Sequence, residues 1–198
     1  MKLAVIFASV LIFSISTPDI LTNLVSAVYI PENTIEIEGI DESGKPLTIK
    51  YDKSKDTISR ITVEGEEQKV STLKELFLKL FFFKADHTKP ETMTNAVESL
   101  TKLLKNNGVR VDVATLSVDK EKGKAALSIG KEKRFSSANE LVIFKSSGLP
   151  AYLLIENEKT VFSDYHKSVL PAVFPGRIDF FTEGELVRTW TFYRPEFK

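Results

Sequence analysis

The 198-residue chain carries 27 Lys and Arg against 27 Asp and Glu, with two His, no Cys and 14 Phe. That length suits one domain with a sizeable core, and a formal charge of zero lacks the basic surplus needed to bind nucleic acid or anionic membranes. The missing Cys excludes disulfides, thiolate metal sites, Cys nucleophiles and a lipid-modified Cys, while Phe, at about 7% of residues, is in excess.

The N-terminus reads as an export signal. Lys2 is a short positive region, Leu3 to Ile15 is an almost unbroken apolar run, and Val25-Ser26-Ala27 offers small residues to a signal peptidase. The run is too short for a membrane span, which needs roughly 20 residues. The pattern therefore predicts cleavage after Ala27, with residues 1–27 outside the fold and 28–198 forming a single domain without an integral span. Export without Cys suits a bacterial periplasm, and Phe7 and Phe13 leave with the signal.

The following residues alternate as strands do. Val28 to Ile30 and Thr34 to Ile40 come first, with Ile35 and Ile37 on one face and Glu36 and Glu38 on the other. Asp41 to Gly44 is a turn, then Leu47 to Tyr51, Thr57 to Val63 and Gln68 to Val70 complete a four-stranded antiparallel opening, with Gly65 in a hairpin turn.

Two helices are predicted next. Thr72 with Glu75 forms a capping box ahead of Leu73, Leu76, Phe77, Leu80, Phe81 and Phe83. Leu78 and Phe82 make that helix apolar nearly all round. A second box at Thr88 and Glu91, with Pro90 in the first turn, opens a helix with Met93, Ala96, Val97, Leu100, Leu103 and Leu104 on one face. Asn107-Gly108 stops it.

Strands return at Val109, Val111 and Val113, continue through Leu116 and Val118, and turn at Asp119 to Gly123 into Ala125 to Ile129. Leu141 to Phe144 pairs with Ala151 to Ile155, Thr160 to Tyr165 follows, and Arg177 to Phe181 pairs with Leu186 to Tyr193. Ten or eleven short strands in consecutive hairpins, with helices inserted between them, predict an α+β fold on an antiparallel sheet.

Catalytic patterns are sparse. His87 and His166 lack metal-ligand spacing, so no metal site is predicted. Ser146-Ser147-Gly148 has no esterase-type flanks and reads as a turn. Glu66-Glu67 and Asp41-Glu42 sit at exposed tips, no Gly-rich phosphate loop occurs, and the lysines between 120 and 133 are interspersed with acids. The chain is read as a non-enzyme without a cofactor.

What remains is the apolar excess. Three consecutive Phe spread over about 200° of a helix, so Phe81, Phe82 and Phe83 cannot all face one core. The expected role is to line an apolar ligand cavity, with Leu76, Phe77, Leu80, Phe81, Phe82 and Phe83 on the helix and Phe144 and Phe180 on facing strands.

The order of elements then resembles the periplasmic lipoprotein carrier LolA and its relatives. The stretches that carry the resemblance are Asn107-Gly108-Val109-Arg110-Val111, Ala125 to Gly130, Leu141 to Pro150 with its Gly148-Leu149-Pro150, Phe174 to Phe181, and Gly184 to Arg188. They cover about the C-terminal half. The resemblance implies an incomplete β-barrel closed by a helical lid, with lipid or lipoprotein acyl chains as partners in outer-membrane sorting. The alternative on the same fold is an envelope sensor or module for protein partners. The family's lid-locking arginine is not placed in this chain: Arg60 lies in an early strand, but no residues around it fix the match.

Overall fold

The computed structural model describes residues 16–28, 34–52, 57–63, 66–67, 80–81, 89–119, 124–131, 139–167 and 173–193. Two helices occur among them, α1 (Thr17–Ala27) and α2 (Pro90–Asn106). The strands are β1 (Thr34–Asp41), β2 (Pro46–Asp52), β3 (Thr57–Val63), β4 (Glu66–Glu67), β5 (Ala114–Asp119), β6 (Lys124–Ile129), β7 (Glu140–Phe144), β8 (Pro150–Ile155), β9 (Glu158–Lys167), β10 (Val173–Thr182) and β11 (Glu185–Phe192).

All strands join one antiparallel sheet in the order β4-β3-β2-β1-β11-β10-β9-β8-β7-β6-β5. The chain therefore enters in the middle of the sheet. It builds outward to β4, crosses to the opposite edge, and returns strand by strand until β11 closes against β1. The edges β4 and β5 do not pair, so the sheet is open rather than a closed barrel. The crossing from one edge to the other carries Leu80, Phe81 and α2, which join the core on one face.

The β1–β11 seam needs a glycine. Gly39 lies opposite Phe192, and a Cβ there would collide with the Thr191 carbonyl oxygen and the Phe192 ring. Only a residue without a side chain lets the first and last strands approach along the sheet.

Strand alternation decides which residues meet the helices. Ile37, Leu47, Ile49, Leu127, Ile129, Leu141, Ile143, Leu153, Phe162, Ile178, Trp190 and Phe192 share a core with Ala96, Leu100 and Leu104 of α2. The apolar stripe of α2 is the predicted one. Its start differs from the expected capping box, because Lys89 is the N-cap and makes no side-chain cap hydrogen bond, leaving Pro90 to set the first turn. Val109 to Val113, expected as strand, is a turn that leads into β5.

The N-terminal segment joins the same core. Thr17–Ala27, read as the end of a leader outside the fold, is a helix with Ile20, Leu21, Leu24 and Val25 in the same core, followed by Val28. Ser16 caps it by accepting from the Asp19 amide at 3.3 Å, Pro18 occupies the first turn, and α1 packs against α2. The five apolar side chains are at most 2% exposed. At about 1.5–3 kcal/mol each, their burial contributes on the order of 10 kcal/mol, comparable with the whole stability of a domain.

The predicted helix from Thr72 to Phe83 lies outside the described residues apart from Leu80 and Phe81, which form a turn. Among the described residues the two helices are α1 and α2. Among the described residues, no helix is long and apolar enough to cross a membrane.

Candidate functional site

The first arrangement of interest is an aromatic chain under the helices. The Phe81 ring stands edge-on to Phe162, with centroids 5.1 Å apart, and to Phe174 at 5.3 Å. Phe174 meets Phe192 at 5.2 Å, Phe192 meets Trp190 at 6.3 Å, and Trp190 meets Phe180 at 4.9 Å. These edge-to-face contacts connect the crossing segment to β9, β10 and β11 and leave the rings well packed. Leu80, Phe81 and Phe180, expected to line a cavity, are buried in the core. Phe81 lies against Phe162 of β9 and Phe174 of β10, where sheet aromatics converge.

Tyr165 sits beside the same cluster, 6.3 Å from the Phe81 ring. Its hydroxyl donates to the Pro150 carbonyl, and desolvation pushes its pKa well above the ordinary tyrosine value. It is held neutral and serves β8–β9 packing.

A cleft lies elsewhere, between α1 and the β7–β8 turn. Its volume is about 370 Å³, at the lower end of ligand-pocket sizes. Ile20 and Ala27 of α1 with Leu127, Ile143 and Phe144 give it apolar lining. Asn23 and Ser26 of α1 and Lys145, Ser146 and Ser147 of the turn add polar groups. The turn is held by Gly148, whose φ of 71° and amide bond to the Phe144 carbonyl (2.9 Å) bring the backbone against α1. Such a cleft can hold an apolar chain on its floor with an anionic or hydroxylated head near the Lys145 ammonium.

Of the residues predicted to bind ligand, Phe144 alone lines this cleft. Leu76, Phe77, Phe82 and Phe83 lie outside the described residues. The α1 wall was not among the expected site residues, because the sequence assigned that segment to a leader. The signal was present: Ser16 and Asp19 at capping distance, Pro18 between them, and apolar residues at 20, 21, 24, 25 and 28. The sequence also marked Ser146-Ser147-Gly148 correctly as a turn, but not what the turn faces.

The opposite face of β6–β8 holds a small polar cluster. Ser128 Oγ donates to Glu140 Oε2 at 2.6 Å, the Tyr152 hydroxyl donates to Oε1 at 2.9 Å, and Lys131 Nζ stands 3.4 Å from Oε1. Glu140 is 2% exposed, so these donors replace its lost hydration. Lys159 lies over the Tyr152 ring at 4.6 Å. The partners are mutually satisfied, as in a structural clasp across three strands. Among the described residues, no group of His, Asp and Glu is placed to hold a metal ion. His87 lies outside those residues.

No protein-family model, curated protein or solved structure matches this chain.

Proposed function

We propose that this protein is a non-catalytic carrier of amphiphilic lipid or lipoprotein acyl chains in the bacterial periplasm. The cleft between α1 and the Lys145–Gly148 turn carries the reading: its lining combines apolar Ile20, Ala27, Leu127, Ile143 and Phe144 with Lys145 and serine hydroxyls. The resemblance to LolA-type carriers, and an open sheet with helices over its apolar face, support it.

The energetics suit reversible binding. A volume of about 370 Å³ accommodates roughly a dozen methylene-sized groups. At ~0.8 kcal/mol per buried CH₂, they offer on the order of 10 kcal/mol before the cost of ordering chain and protein. Non-directional contacts with Ile20, Leu127 and Ile143 bind a chain without demanding one lipid identity, as a carrier needs.

Native mass spectrometry of the protein recovered from a Gram-negative periplasm tests this. A co-purifying acyl lipid, with a fatty-acid probe that brightens on binding and dims in Lys145→Glu, is the expected result. An apo mass together with no response from the probe overturns the proposal.

A further inference from the structure

The wall that α1 supplies to the cleft raises the question of where an exported chain is cut. Cleavage after Ala27 would remove Ile20, Leu21, Leu24 and Val25 from the core and open the sheet face beneath them. It would also remove Ile20, Asn23, Ser26 and Ala27 from the cleft, leaving the site incomplete. An apolar hole of that size carries a large penalty. The same segment has the marks of a helix in its own right: Pro18 and Asp19 lie in the first turn, and the Val28 amide bonds back to the Leu24 carbonyl at 3.1 Å.

We propose that α1 is a permanent part of the mature protein, and that where the chain is exported the peptidase acts at the Ser16–Thr17 bond or before it. This rests on the carrier reading only for the premise of export. The sequence supplies a matching signature, since Ser14-Ile15-Ser16 is a small–x–small triplet directly after the apolar run. That position brings the cut next to the apolar region, whereas Ala27 stands a further eleven residues away. Val25-Ser26-Ala27 has the right residue sizes, but Val25 is fully buried and its neighbours are helical.

The experiment expresses the full chain with its own leader in a Gram-negative host and measures the intact mass of the folded product. A chain beginning at Thr17 or earlier supports the proposal, and one beginning at Val28 overturns it. The full-length Leu24→Ala chain gives a second readout on its product. If α1 is retained, the melting temperature falls by about 5–15 °C. An unchanged melting temperature means that residue 24 has been discarded, and the proposal fails. If Leu24→Ala does not accumulate, the mass of the unsubstituted product still decides. Full-length protein found only in the cytoplasm would end the export reading while leaving α1 in the fold. A product beginning at Thr17 without bound lipid would end the carrier reading alone.

Discussion

A Cβ placed on Gly148 would stand 3.1 Å from the Asn23 carbonyl oxygen and 3.4 Å from the Ala27 Cβ, so the β7–β8 turn and α1 touch through backbone. This contact sets the width of the cleft on its polar side. It also ties the N-terminal helix to a hairpin more than a hundred residues away.

Gly148→Ala should therefore be destabilising for two reasons. Its φ of 71° is left-handed, which costs a non-glycine residue about 1–2 kcal/mol, and the new methyl must push α1 outward. The expected loss is about 2 kcal/mol in urea denaturation. A variant as stable as the parent would show that turn and helix are not in register.

Phe81 anchors the crossing segment between Phe162 and Phe174. Phe81→Ala should cost about 3–5 kcal/mol, and Phe81→Leu about half as much because it refills part of the hole. Equilibrium unfolding of both separates a packing role from a ligand-contact role. A ligand contact would weaken lipid binding at unchanged stability.

Glu140 is predicted to be structural. Glu140→Ala leaves the Ser128 and Tyr152 hydroxyls without their acceptor and should cost about 2–4 kcal/mol, while Lys131 is exposed enough to regain water. Tyr152→Phe alone should cost about 1 kcal/mol. A double-mutant cycle between residues 140 and 152 should show coupling, since they share one bond. Additive losses would contradict the geometry.

Tyr165 makes stability fall in alkali. Its folded pKa lies well above the ordinary value near 10, so above pH 10 the unfolded chain loses a proton that the folded one keeps. Stability contributed by this group is complete below pH 10. It is lost as pH rises, at up to about 1.4 kcal/mol per pH unit. Tyr165→Phe should flatten that part of the pH–stability curve, and an unaltered slope would assign the alkaline loss elsewhere.

Most of the strand positions were legible because a half-buried strand must alternate, as Ile37, Leu47 and Ile49 do in β1 and β2. The amphipathic stripe of α2 was equally plain. The β7–β8 and β10–β11 hairpins followed from turn residues flanked by apolar runs. Local signals are ambiguous where two structures share one composition. Thr17–Ala27 is apolar and ends in small residues, which describes both the tail of a leader and a short core helix. Only what packs against it distinguishes them.

The chain's own residues determined that an antiparallel sheet would form with α2 across an apolar face, because period and turn chemistry are local properties. Only the tertiary structure decided that β1 closes on β11, that Phe81 is core, and that α1 walls a cleft with Lys145. Those depend on residues far apart in sequence meeting at van der Waals distance, and no local pattern encodes such a meeting. Zero net charge and abundant Phe excluded partners and raised an apolar question. The fold answers part of it by placing Phe81, Phe162, Phe174, Phe180 and Phe192 in one packed aromatic chain, because rings from the crossing segment and from three adjacent strands bury more area together than apart.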